Sequence, residues 1–276
     1  MIKIITDSSA DLPVKYIEQY DIDVIPITVT LDGKDYKEKV DISSEEFLEK
    51  MFSSNKLPKT SQPSPATFVD SFSKYDKDID ILCLTVSSGL SGTYQSACIG
   101  KELANCSNVT IFDTLAASLG HGLQVIRAAE LVKQGLSVEE IVKNLTEYRD
   151  NMNILVILNT LENIVKGGRL SKFEGSLAKI LNIKVILERV EGGKVEVYEK
   201  IRGKKKLQNR IFELLQERGK DFSNVTIGIS HTGNLEEVEA LKQNLFHRFN
   251  PKKIIVNYMG AAIGTYAGKD GMIISF

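Results

Sequence analysis

The residues best suited to chemistry in this 276-residue chain are hydroxyls and glycines gathered in four stretches. They are Thr6-Asp7-Ser8-Ser9, Thr60-Ser61-Gln62, the run Ser87-Ser88-Gly89-Leu90-Ser91-Gly92-Thr93, and Gly264-Thr265-Tyr266. Hydroxyls donate hydrogen bonds without carrying charge, and glycines let backbone N–H groups approach a ligand closely. Such a set suits a carboxylate or a phosphate, above all at a helix start, where free N–H groups face an anion. Ser91-Gly92-Thr93 is placed for that. Ordinary helix capping also accounts for Ser and Thr at a helix start. The run 87–93 carries more hydroxyls and glycines than one cap requires, which favours a site. Two basic stretches, Lys166-Gly167-Gly168-Arg169 and Lys200-Ile201-Arg202-Gly203-Lys204-Lys205-Lys206, are candidates for a phosphate or an acidic partner. The bland reading of the second is a solvated face.

A serine-dependent hydrolase or acyltransferase using Ser91 is the competing enzyme reading. Gly89-Leu90-Ser91-Gly92 resembles a nucleophile elbow, but that motif needs glycine two residues after the serine, where Thr93 stands. Neither His231 nor His247 has motif support as the base of a triad, and His231 reads more simply as a turn residue ahead of the Asn234 cap. His121 falls on an amphipathic helix and reads as structural. The phosphate-loop and dinucleotide fingerprints are both absent, so no nucleotide cofactor is expected. The three histidines form no metal-ligand motif, and no metal is expected either.

Composition narrows the classes further. Thirty-five basic and 36 acidic side chains leave a net charge of −1, which argues against nucleic-acid binding through bulk charge. Cys83, Cys98 and Cys106 are odd in number and have no C-x-x-C spacing, which predicts a reducing, cytoplasmic setting. No signal peptide is recognisable, and no apolar window approaches the roughly 18 residues of a membrane span.

The elements that must position these residues alternate. Strands are expected at 2–6, 24–31, 79–86 and 109–112, with helices at 13–20, 43–52, 64–75, 93–103, 116–133 and 137–150 between or after them. Ser43-x-x-Glu46 and Ser137-x-x-Glu140 are capping boxes, and Ser64-Pro65 is a cap followed by Pro at the first helical position. Strand, polar loop, helix, strand is the grammar of a parallel sheet. Beyond residue 151 the grammar changes. Strands at 183–190 and 194–200 flank Glu191-Gly192-Gly193, a hairpin signal, and further strands fall at 154–158, 225–230, 253–258 and 272–275. The fold class is therefore α/β, with a mostly parallel N-terminal α/β/α domain at 1–150 and a mixed-sheet α/β domain at 151–276. The four hydroxyl-rich stretches fall in loops at the carboxyl ends of predicted strands, where α/β sheets bind ligands.

Four motifs, in order along the whole chain, resemble the DegV family: T-D-S-S-A-D-L-P at 6–13, K-T-S-Q-P-S-P at 59–65, S-S-G-L-S-G-T-Y at 87–94 and K-G-G-R-L-S at 166–171. That family comprises bacterial fatty-acid-binding proteins, some of which are the lipid-carrying subunit of a fatty acid kinase. The resemblance implies two α/β domains with one long acyl chain in a buried tunnel, and a binding protein with no catalytic residue of its own. It implies that Thr60 and Ser91 hold the carboxylate, assisted by Ser61 and the backbone of Gly92. It places Arg169 near the carboxylate end, for phosphate transfer or kinase docking, and Arg202 is a second docking candidate. Where family members often carry T-H-x-G, this chain has Thr265-Tyr266-Ala267-Gly268. Tyr266 keeps a hydroxyl that can donate to a carboxylate but cannot become an imidazolium cation.

Overall fold

The computed structural model describes residues 1–170, 183–219 and 221–276. Residues 1–113 supply the strands β1 (Ile2–Asp7), β2 (Asp23–Ile25), β3 (Thr28–Leu31), β4 (Lys34–Lys37), β5 (Lys59–Ser61), β6 (Asp80–Thr85) and β7 (Val109–Asp113). Between and after them run the helices α1 (Val14–Tyr20), α2 (Ser44–Ser53), α3 (Pro65–Phe72), α4 (Thr93–Ala104), α5 (Leu119–Lys133) and α6 (Val138–Asn151). β2, β1, β6 and β7 pair in that order, all parallel. Their apolar runs are covered on both faces, as a parallel sheet requires. Phe68 and Phe72 of α3 and Ala97 of α4 pack on one side, against Ile5, Ile81 and Cys83. On the other side lies α5, buried along most of its length.

The stretch 24–31, expected as one strand, is two. Pro26 has no N–H to give to a ladder, so pairing stops there. β2 stays in the parallel sheet, while β3 enters a separate antiparallel sheet, ordered β4-β3-β5. The Asp32-Gly33 turn joins β3 to β4, and Val29, Leu31, Phe47 and Leu48 form the small core between this sheet and α2.

The second half contributes β8 (Ile154–Leu158), α7 (Glu162–Lys166), β9 (Ile183–Arg189), β10 (Val195–Arg202), α8 (Lys204–Arg218), β11 (Thr226–His231), α9 (Leu235–Phe249), β12 (Lys253–Tyr258), α10 (Ala261–Ala267) and β13 (Met272–Ser275). Its sheet runs β10-β9-β8-β13-β11-β12; β11 and β12 are parallel and the other pairs antiparallel. The Glu191-Gly192-Gly193 signal marks the β9–β10 connection as expected. Alternation along β8 sends Leu155 and Ile157 to the core under α8 and α9. It sends Ile154, Val156 and Leu158 to the core shared with α5. α5 is thus wedged between the two larger sheets.

Three segments differ from the sequence reading near the site. Thr60 and Ser61, expected in a loop, lie in the strand β5, paired with β3. Gly264-Thr265-Tyr266 is not a loop but the middle of α10. The buried carboxylates of Asp11 and Glu38 accept hydrogen bonds from Gly260 N at 2.7 Å and Ala262 N at 2.9 Å, anchoring its first turn. α5 begins at Leu119 rather than near 116, because Ser118 is at φ 53 and leaves 114–118 as a loop. Ser171, the last residue of K-G-G-R-L-S, lies outside the described residues.

Candidate functional site

The loops that follow β1, β6 and β7 meet α10, β5 and the inner face of the mixed sheet around a cavity of about 370 Å³. β1 and β6 are the neighbours at which the chain order of the parallel sheet reverses, the place where open α/β sheets bind ligands. Most of the wall is apolar, with Leu90, Ala116, Val156, Leu158, Ile263 and Ile273 among its members. Polar groups gather at one end, beyond the carboxyl end of β8.

Thr60 reaches that end because β5 pairs with β3 so that Thr60 stands opposite the fully buried Val29 and shares its face. Tyr266 lies on α10 one turn beyond Ala262 and Ile263, on the face that borders the cavity. The two hydroxyls meet, Thr60 Oγ1 to Tyr266 Oη at 2.5 Å. Arg169 sits over the Tyr266 ring, 4.8 Å from its centroid. Its Nε donates to Leu90 O at 3.2 Å and its Nη1 to Gly167 O at 2.6 Å. Among the described residues no carboxylate pairs with it. The ring of Tyr266 lies so close to Gly167 that a Cβ there would stand 2.3 Å from Cε1. The glycine of K-G-G-R therefore makes room for the aromatic residue.

Ser91 follows β6 and lines the same end of the cavity. Its Oγ accepts from Thr93 N at 3.3 Å and lies 2.9 Å from Thr93 Oγ1, so it also performs the local capping that its sequence position suggests. Gly92 is the cap residue of α4. A Cβ at Gly92 would stand 2.2 Å from Gln62 Oε1, so glycine is what lets the Gln62 side chain cross to its bond with Ser96 Oγ at 2.8 Å. Ser61 is exposed at the rim beside Gln62.

Thr60, Ser61, Ser91, Arg169 and Tyr266 are thus brought together, with Gly92 behind Gln62. Arg202 is not among them. It is exposed at the end of the outer strand β10 and lines a separate surface groove with Lys206 and Glu213. The first motif is mainly structural. Asp7 accepts from Ser9 N at 3.1 Å and from Val86 N at 2.8 Å, joining the ends of β1 and β6. Ser8 binds Glu38 and receives Ile27 N, and of this stretch Ser9 lines the cavity. Ser9 and Gln62, both in the hydroxyl-rich stretches, also line the cavity, and Arg189 is the lining polar residue that carries no sequence signal.

The histidines stand apart from Ser91. His121 is fully buried, its Nε2 at 2.8 Å from Thr6 Oγ1 and 3.2 Å from Leu84 O, and burial lowers its pKa. His231 Nδ1 accepts from Gly233 N at 3.2 Å, and its ring packs 4.5 Å from that of Tyr258. Among the described residues, no group of three or more His, Cys, Asp and Glu side chains is arranged to hold a metal ion. No helix among the described residues is long and apolar enough to cross a membrane.

The α/β layers of the fold thus enclose a largely apolar cavity with Thr60, Ser91, Arg169 and Tyr266 gathered at one end. The DegV family model, described as that of an uncharacterised protein of the DegV family, matches residues 1–276, and the chain belongs to that family. A DegV domain-containing protein of Caldanaerobacter subterraneus is 35% identical over 276 residues, covering 100% of this chain and 98% of its own. The crystal structure of Bacillus subtilis DegV, a fatty acid binding protein, superposes with a TM-score of 0.89 at 30% identity, covering 99% of this chain and 98% of that one. The fatty acid kinase (Fak) B3 protein of Streptococcus pneumoniae, loaded with linoleic acid, gives a TM-score of 0.87 at 25% identity, covering 100% and 99%.

Proposed function

We propose that the protein binds one long-chain fatty acid in the cavity, its tail along the inner face of β8 and its carboxylate among Thr60, Ser91, Tyr266 and Arg169. The observation that carries this reading is the placement of hydroxyls and an arginine at one end of a largely apolar cavity of about 370 Å³. Burying a tail is worth about 0.8 kcal/mol per methylene, so a long chain gains on the order of 10 kcal/mol before the costs of binding. Affinity then comes from the tail, and the head group chiefly needs donors that offset its loss of water. Thr60 and Tyr266, hydrogen-bonded to each other without ligand, can both turn a donor to a carboxylate. Arg169, stacked on Tyr266, supplies the positive charge that a tyrosine cannot.

In this reading the protein is a non-catalytic cytoplasmic carrier that presents the carboxylate to a kinase partner for acyl phosphate formation. Support comes from what the similar solved structures are said to bind, from the likeness to the Fak B3 protein, and from the exposed rim at Ser61 and Gln62. Arg169 and the exposed Arg202 are the residues we assign to phosphate contact or partner docking. The hydrolase reading is disfavoured because Ser91 Oγ has Thr93, and no histidine, as its hydrogen-bond partner among the described residues.

Native mass spectrometry of the purified protein, followed by organic extraction, tests the proposal. A bound mass that extracts as a fatty acid supports it; a ligand-free protein that takes up no added fatty acid refutes it. Thr60→Ala with Ser91→Ala is expected to weaken retention by about a hundredfold or more, from two lost hydrogen bonds to a charged group. Unchanged retention removes both residues from the site.

A further inference from the structure

Arg189 breaks the pattern of the cavity wall. Ile154, Val156, Leu158, Val185 and Leu187 form an apolar face on β8 and β9, and Arg189 is the next position of that face. Glu188 is registered opposite Leu155, which puts Arg189 beside Ile154, at the amino end of β8. The carboxylate end of the cavity lies beyond Leu158 at the other end of the strand, roughly 14 Å away along β8. Arg189 lines the cavity while its guanidinium bridges out of the sheet. Its Nη1 donates to Arg149 O at 2.8 Å and its Nη2 to Met152 O at 2.7 Å, at the end of α6. Among the described residues no acidic side chain pairs with it.

We propose that Arg189 is the end stop of the acyl tunnel and sets the longest chain the protein holds; the inference rests on the fatty-acid reading above. A tail that reaches Arg189 meets the guanidinium and the two carbonyls it holds. Further methylenes must displace the guanidinium, leaving Met152 O without its donor and Arg149 O with only its 3.3 Å bond from Met152 N, or stay outside the cavity. Met152 itself lines a second cavity, of about 310 Å³, so the barrier has space behind it. Val195, registered opposite Arg189 on β10, faces the same end.

The test is native mass spectrometry of wild type, Arg189→Ala and Val195→Phe after equilibration with an equimolar mixture of myristic, palmitic, stearic and arachidic acids. Removing the stop is expected to raise the bound arachidate-to-palmitate ratio at least about tenfold, the least that one methylene is worth in an apolar pocket, and arachidate has four more than palmitate. Val195→Phe fills the same end and is expected to shift occupancy toward myristate. An Arg189→Ala protein that still binds palmitate with the wild-type length profile overturns the proposal. If Arg189→Ala does not fold, Val195→Phe decides it, and an unchanged profile there overturns it equally. A wild-type protein that takes up none of the acids overturns the fatty-acid reading itself, and the end stop with it.

Discussion

The two faces of the mixed sheet are made of the same kind of residue and do different things. On the outer face Leu155, Ile157, Ile186 and Ile229 interlock with α8 and α9 in a packed core. On the inner face Ile154, Val156, Leu158 and Ile273 border a cavity. The difference comes from what stands opposite. Two amphipathic helices cover the outer face, whereas on the inner face α5 packs on part of the sheet and loops 87–93 and 114–118, α10 and the short strand β5 surround the rest. Those last segments are short and partly polar, and they do not fill the space in front of the sheet. Apolar alternation alone therefore does not separate a core from a ligand wall.

That contrast can be broken by paired substitutions on one strand. Leu155→Ala on the outer face is expected to cost about 2–5 kcal/mol, since it leaves a void in a packed core. Leu158→Ala on the inner face is expected near the lower end, about 2 kcal/mol, because its cavity side already lacks neighbours. Urea unfolding of the lipid-free proteins measures both, and equal losses would mean that the inner face is packed as tightly as the outer. Enlarging side chains reverses the comparison. Ile157→Phe overpacks the outer core and is expected to lose about 1–3 kcal/mol. Val156→Phe grows into open space, so it should keep its stability and lose fatty acid uptake in the same mass-spectrometric assay. Retained uptake in Val156→Phe would remove the tail from this face.

The seam at the start of α10 sharpens the comparison by a smaller, pH-dependent effect. Glu38 is fully buried, bonded to Ser8 and to Ala262 N at 2.9 Å. Burial pushes its pKa up from the ordinary 4.5 to about 6; Lys39 opposes the rise and the nearby Asp11 adds to it. Asp11 is raised as well, by burial first, against the pull of Lys39 and its hydrogen bonds from Ser118 and Gly260. A carboxyl whose native pKa lies above its unfolded one favours the fold when protonated. Glu38's contribution is therefore full below pH 4.5 and lost as pH rises through about 6. Relative to Glu38→Gln, the wild-type protein should gain up to about 2 kcal/mol of stability on going from neutral pH to acid. Urea titrations of both proteins across that range measure the difference. A constant gap between them would mean that Glu38 titrates normally and that the seam does not bias α10.

Much of the fold was legible because local chemistry marked it. Ser43, Ser64, Ser137 and Asn234 each cap the helix that their spacing announced. β8, β12 and β13 match their expected bounds, since short apolar runs between turn signals leave little choice of register. The split at Pro26 was also written in the chain, as the missing N–H of one residue. α10 was harder, because Gly264 and Thr265 read as loop residues, and the carboxylates anchoring its first turn come from positions 11 and 38. In the site, Thr60, Gln62, Ser91, Arg169 and Tyr266 fell in the stretches that spacing singled out, while Arg189 did not. Arg189 looks like any charged residue at a strand end until its neighbours are known.

The sequence by itself determined most of the strands and helices, though not β4, β5 or α10, together with their caps and turns and the hydroxyls and glycines placed in stretches able to meet a ligand. These follow from interactions between residues close in the chain, so spacing and side-chain type are enough to define them. Only the tertiary structure decided that Thr60 meets Tyr266, that Arg169 lies over that ring, and that part of the inner face of β8 borders a cavity. Those outcomes depend on contacts between residues far apart in the chain and on volume left unfilled. An apolar residue beside a void and one beside a neighbour are written with the same letter.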